Sequence, residues 1–111
     1  MMSEGNIYFL QYAIFTNEDV ISEATGKLDN YFLIENDGKY YVYLGAYSTL
    51  ANAEKMKKIY EDDKIYTYIK NDYISNGKEM EIKELSREID NENNSLKLKE
   101  INNKIINIFK E

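Results

Sequence analysis

The sequence predicts an α+β domain of βαββαβ order, a four-stranded antiparallel sheet with two helices on one face, followed by a C-terminal helical extension. Three observations predict it. Strand-like and helix-like segments alternate as far as residue 70. The line "YFLQYAIFTN" (8–17) is echoed by "YYVYLGAYST" (40–49), with Tyr8 matching Tyr40, Leu10 Val42, Ala13 Gly45 and Phe15 Tyr47, as a duplicated strand–helix–strand unit would give. Finally, Asp37-Gly38 separates two strand-like runs, and both residues tolerate the positive φ of a tight hairpin turn.

Residues 7–15, "IYFLQYAIF", are aromatic and β-branched and read as the first strand. Thr16 or Asn17 offers a helix cap, and Glu18 and Asp19 fall in the first turn, where the helix dipole favours acids. Val20, Ile21, Ala24 and Leu28 then form one helical stripe. "YFLIE" (31–35) is the second strand and "YYVYLGAY" its antiparallel partner across the hairpin. Ser48 or Thr49 caps a second helix with Leu50, Ala53, Met56 and Tyr60 on its buried side, and "KIYTYIK" (64–70) closes the unit as the fourth strand.

After the connection "NDYISNGKE" the texture changes. Met80, Ile82, Leu85 and Ile89 mark a narrow stripe over 79–90, and Leu98, Ile101, Ile105, Ile108 and Phe109 mark another over 96–110. The breaker-rich "NENNS" lies between them, with Ser95 as a cap. The chain thus divides into a domain over 1–76 and a helical extension over 77–111. Helices this short need something to pack on: each other, the domain flank, a second chain or the sheet. The sheet is disfavoured among these, because an Ile/Leu stripe leaves tyrosine hydroxyls without partners.

Composition narrows the function classes. The chain has 111 residues, 43% of them hydrophobic, and a formal net charge of -6. Nucleic-acid backbones and anionic membranes reward clustered Lys and Arg, so neither is an expected partner. An RNA-binding sheet of the same topology is disfavoured on the same ground. Without Cys, His or Trp, most nucleophilic and metal sites are unavailable. A glycosidase needs two carboxylates flanking a cleft, whereas Asp62-Asp63 and Glu35/Asp37 lie at turns, where solvated loop acids are the ordinary reading. "ENDGK" lacks the ligand spacing and closing Glu of a calcium loop. A binding module is expected, not an enzyme, with no cofactor. No apolar run reaches the roughly 18–20 residues a membrane helix needs, and no signal peptide precedes the first strand. The expectation is therefore either a cytoplasmic protein or one tethered by an N-terminal membrane segment outside this chain.

Tyrosine is abundant, as are Asn, Ile and Lys, so the placement of the rings matters more than their number. Strand residues alternate between faces. With Asp37-Gly38 as the turn, Leu33 opposes Val42 and Tyr31 opposes Leu44 on the helix side, joined by Leu10, Tyr12, Ile65 and Ile69. The other face collects Phe9, Gln11, Phe32, Ile34, Tyr41, Tyr43, Tyr66 and Tyr68. A one-residue slip would exchange the faces. Tyr and Gln suit a wet, flat ligand better than a dry core, since rings stack on the apolar faces of sugars and Gln supplies both a donor and an acceptor.

The residues resemble a SPOR (sporulation-related repeat) domain over about 7–70. In that family the first repeat typically runs hydrophobic-Gln-hydrophobic-Gly-x-Phe, and "LQYAIF" (10–15) is similar, with Gln11 in place and Ala13 where Gly is usual. The second typically runs aromatic-Arg-Val-x-hydrophobic-Gly-x-aromatic-Ser. "YYVYLGAYS" (40–48) fits it, including Gly45, with Tyr41 where Arg is usual and Ala53 in the following helix. The resemblance implies an RNP-like, ferredoxin-like fold and non-catalytic binding of septal peptidoglycan strands stripped of their stem peptides. It also implies an extracytoplasmic place in a cell-envelope, division or sporulation protein. Of that family's binding residues, Gln11 and the aromatics of the second-repeat strand carry over, and the usual Arg does not. The alternative is a protein-interaction or assembly module that uses the aromatic face and the tail helices, including self-association.

Overall fold

The computed structural model describes residues 5–74 and 77–110. In chain order the elements are β1 (Gly5–Phe15), a 3-10 turn (Glu18–Val20) running into α1 (Ile21–Ala24), β2 (Phe32–Asn36), β3 (Lys39–Tyr47), α2 (Leu50–Asp62), β4 (Tyr68–Ile74), α3 (Glu79–Asp90) and α4 (Ser95–Lys110). The strands form one antiparallel sheet in the order β2-β3-β1-β4. This is the βαββαβ arrangement that the sequence predicts.

The hairpin sets the register. Asp37 and Gly38 both take positive φ, 56° and 76°, as a two-residue primed turn requires. Phe32 then pairs with Tyr43, Leu33 with Val42 and Ile34 with Tyr41, as expected. Asn17 caps the first helical segment by accepting from the Asp19 amide at 2.9 Å, and Thr49 caps α2 by accepting from the Asn52 amide at 3.1 Å.

Four details depart from expectation. Helical structure after β1 stops at Ala24 rather than continuing to residue 28, and Leu33 is 41% exposed on the edge strand instead of buried. The fourth strand runs from 68 to 74, not from 64 to 70. Lys64 takes a positive φ of 64° in the turn after α2, so the chain joins the sheet only at Tyr68. Its partner is the first half of β1, from Gly5↔Ile74 to Gln11↔Tyr68, which draws "NDYI" into the strand. Finally, the cap of α4 is Asn94, which accepts from the Lys97 amide at 3.0 Å, one residue before Ser95. The expected boundary at 76/77 falls beside Ser75 and Asn76, which lie outside the described residues.

α2 packs on β1 and β3, with Ala53 and Met56 fully buried. α3 and α4 pack on each other, and both reach β3. Their Ile82, Ile89, Leu98, Ile105 and Ile106 join Ile7, Leu10, Leu44 and Met56 in one core. Lys55 on α2 secures the turn between them, donating to the carbonyls of Ile89 and Glu92 at 2.6 Å each, where α3 leaves its last carbonyls open.

β2 starts at Phe32, opposite Tyr43, so residues 44–47 of β3 have no partner on that side. α4 lies there. The Asn102 side chain donates to the Leu44 carbonyl at 2.9 Å and to the Tyr60 hydroxyl at 2.9 Å. Its Oδ1 accepts from the Tyr47 hydroxyl, and the Tyr60 hydroxyl also donates to the Leu44 carbonyl at 3.3 Å. Each polar group of this buried cluster is satisfied, as a low-dielectric site demands.

Candidate functional site

The candidate site is the sheet face opposite α2. Alternation from Phe9 places Gln11 on this face, and the pairing of β1 with its neighbours sets Gln11 between Tyr43 and Tyr68. Phe9 opposes Lys70. β3 contributes Tyr41 and Tyr43, and β2 contributes Phe32 and Ile34. Seven of the sequence-predicted site residues, Phe9, Gln11, Phe32, Ile34, Tyr41, Tyr43 and Tyr68, therefore share one face. Tyr66 lies outside β4, in the segment leading to it, and is 64% exposed.

The face is not fully open, which corrects the expectation of a bare platform. Phe109 of α4 stacks on Phe32 with centroids 4.3 Å apart and planes 7° from parallel, and it meets Phe9 edge-on at 6.0 Å. Phe9 in turn stacks on Tyr43 at 4.8 Å. Phe9, Phe32 and Tyr43 are consequently buried, at 2–3% exposure. The objection to covering tyrosines with an apolar helix does not apply to this contact. Phe109 lies on two phenylalanines, while Tyr43 keeps its hydroxyl on Lys70, whose Nζ donates to it at 3.2 Å.

What stays accessible is the part of the face away from Phe109. Tyr41 is partly buried and stacks on Tyr43 at 6.1 Å, Tyr68 is 65% exposed, and Gln11 and Ile34 are half-buried. Together with Phe9, Tyr43 and Asp72, Tyr41, Ile34 and Lys70 border a depression of ≈ 150 Å³. The Lys70 ammonium lies 4.4 Å from the centroid of the Tyr41 ring, a cation–π contact.

Charge at this site is set by Lys70 and Asp72. Burial raises the Tyr43 hydroxyl above its ordinary value, although its hydrogen bond to Lys70 and the ammonium charge work the other way. Partial burial pulls Lys70 down, but the Tyr43 hydrogen bond, Tyr43, Tyr41 and Asp72 together outweigh it and raise the group overall. Lys70 is therefore a charged ammonium at neutral pH. Among the described residues the salt bridges are Lys57–Glu61 and Lys99–Asp63, so Asp72 borders the site without forming an ion pair with Lys70.

Lys70 is the site residue that sequence reasoning missed. The signal was present, since alternation from Tyr68 puts Lys70 on the same face, but it stood at the expected end of a strand. Phe109 was counted only as part of an apolar stripe. Among the described residues no group of His, Cys, Asp or Glu has a metal-binding arrangement, and no helix is long and apolar enough to cross a membrane.

Residues 36–80 match the family model of the SPOR domain. The match contains the second-repeat line "YYVYLGAYS" and bears out the resemblance read from it. The first-repeat line "LQYAIF" lies before it. No curated protein matches the chain. Among solved structures, the solution structure of the peptidoglycan binding domain of the B. subtilis cell wall lytic enzyme CwlC is similar at 21% identity and a TM-score of 0.49. That similarity covers 65% of this chain and 96% of the other.

Proposed function

We propose, from the SPOR-domain match over residues 36–80 and the half-open aromatic face to which those residues contribute Tyr41, Tyr43, Tyr68 and Lys70, that the chain is a non-catalytic module that binds peptidoglycan. The ligand is glycan strands stripped of stem peptides, and the setting is the extracytoplasmic envelope of a dividing or sporulating bacterium. The observation that carries the reading is the juxtaposition of Tyr41, Tyr68 and Gln11 on one accessible surface. Two rings offer apolar faces to pyranose C–H groups, and an amide beside Tyr68 on the same face can both donate to and accept from hydroxyl or acetamido groups. Phe9, Phe32 and Tyr43 act from below, as a rigid aromatic base that holds Tyr41 in place.

Sedimentation with purified sacculi tests it. Retention should rise when the sacculi are first treated with an amidase that removes stem peptides, and Tyr41→Ala should lower it. No retention on either preparation would overturn the reading.

A protein-interaction role is favoured by a different feature. Tyr31, Phe32, Leu33, Phe109 and Lys110 line a notch at the edge strand β2, where Leu33 is 41% exposed. Such an edge can accept an extended peptide strand. In the sacculus experiment that role predicts retention independent of amidase treatment and of Tyr41.

A further inference from the structure

The SPOR-like second repeat has Tyr41 where the pattern usually has arginine, so that position supplies no cation. The structure returns one to the same ring from another strand. β4 crosses the face with Lys70 opposite Phe9, and the Lys70 ammonium sits 4.4 Å from the Tyr41 centroid and 5.9 Å from that of Tyr43. Among the described residues its hydrogen bond is to the Tyr43 hydroxyl, and an ammonium has three N–H donors. No carboxylate among the described residues lies within ion-pair distance of it. Asp72 borders the same depression and repels an anion from its own side, which leaves the Tyr41 side for a negative group. Overall the chain is acidic, with a formal net charge of -6, and the Lys70 ammonium is a positive group set against aromatic rings on this face.

We propose that Lys70 is the specificity group of the glycan site, pairing with the free lactyl carboxylate that N-acetylmuramic acid exposes once its stem peptide has been removed. The inference rests on the glycan-binding reading and adds the chemistry that separates stripped from intact strands. While a stem peptide is attached, the lactyl carbonyl is a neutral amide carrying a bulky chain. After amidase cleavage it is a short anionic arm held close to its own sugar ring. One muramyl residue can then place its ring against Tyr41 or Tyr68 and its carboxylate against Lys70. Carboxylates further along a stem peptide are not tied to a stacked ring in this way. A charge-assisted hydrogen bond at a partly solvated site is modest in strength but decisive between a charged and a neutral partner.

Three soluble tetrasaccharides of equal length test it by calorimetry or NMR titration: a stripped muramyl tetrasaccharide, the same compound with stem peptides, and chitotetraose, which has no carboxylate. The wild-type protein should prefer the stripped muramyl compound. Lys70→Gln should weaken that binding roughly three- to tenfold and leave chitotetraose unchanged, and Lys70→Arg should retain the preference. Raising the salt concentration should erode the wild-type preference and have little effect on Lys70→Gln. If the wild type prefers the stripped compound and Lys70→Gln binds it equally well, the Lys70 assignment is wrong while glycan binding stands. An equal loss on chitotetraose would also overturn it, since Lys70 would then only be positioning Tyr43. If the wild type binds none of the three, the glycan reading itself fails and the inference falls with it.

Discussion

The hydroxyl of Tyr47, at the end of β3, donates to Oδ1 of Asn102 in the middle of α4, and both side chains are almost wholly buried. This bond ties the C-terminal helix to a strand edge that β2 does not reach. Tyr47→Phe removes the donor and leaves the Asn102 oxygen buried and unsatisfied, at a cost of about 1–3 kcal/mol. Asn102→Ala strands the Tyr47 hydroxyl and removes a donor from both Leu44 and Tyr60, so it should cost more. Urea denaturation checks both, and the double variant should lose less than the sum of the two.

Gly45 lies beneath the same ring. A Cβ there would stand 2.5 Å from Cζ of Tyr47 and 3.0 Å from Oδ1 of Asn102, and closer still to the Tyr47 hydroxyl. Because Asn102 holds that hydroxyl in a dry cluster, the ring cannot swing aside. Gly45→Ala should destabilise the protein by about 1–3 kcal/mol, more than Ala46→Gly, in thermal or urea unfolding.

The buried tyrosines make stability fall at alkaline pH. Burial pushes Tyr60 up to about 12 despite the Asn102 hydrogen bond that lowers it, and burial raises Tyr47 well above the ordinary value of 10.0. Above pH 10 the unfolded chain releases phenolic protons that the folded chain retains, so the unfolded state gains. The stabilisation is whole below that pH and is lost as pH rises towards 12. Unfolding free energy measured from pH 8 to 11.5 should decline above 10, and Tyr60→Phe should flatten the decline. An unchanged slope in that variant would contradict the assignment.

The two stacked tyrosines of β3 should separate cleanly. Tyr41 is at the accessible edge, so Tyr41→Ala keeps the fold and loses roughly 0.5–1.5 kcal/mol of glycan binding. Tyr43 is a core ring beneath it, and Tyr43→Ala should cost about 3–5 kcal/mol of stability. Circular dichroism melts alongside sacculus retention distinguish the two effects.

Phe109→Ala tests whether α4 competes with the ligand. Removing a partly exposed ring that caps Phe9 and Phe32 should cost about 2 kcal/mol of stability. Retention per folded molecule should not change, because Tyr41, Tyr68 and Lys70 lie away from it. Stronger retention would make Phe109 an occupant of the glycan's own place. This single substitution is a cleaner probe than deleting the tail, since Ile82, Ile89, Ile105 and Ile106 belong to the shared core.

Local chemistry made much of this legible in the sequence. Asp37-Gly38 is a strong hairpin signal, and that turn dictates the Phe32–Tyr43 and Ile34–Tyr41 pairs and with them the aromatic face. The helices expected over 79–90 and 96–110 followed from their stripes and the breakers between them, and the second begins one residue earlier, at Ser95. What eluded it depends on distant contacts. The start of β4 is set by pairing with the first half of β1, not by its own residues. Asn102 looks like a stray polar residue on an apolar stripe until Leu44, Tyr47 and Tyr60 are brought to it. The cover over Phe9 and Phe32 comes from a residue at the far end of the chain.

Amide-resolved NMR during titration with a stripped muramyl tetrasaccharide reads most directly whether the accessible half of the sheet face receives glycan. Saturable shifts concentrated at Gln11, Tyr41, Tyr68 and Lys70, with the amides of α3 and the first half of α4 unmoved, are the expected result. Shifts confined to the β2 edge around Leu33, or none at saturating sugar, would contradict it.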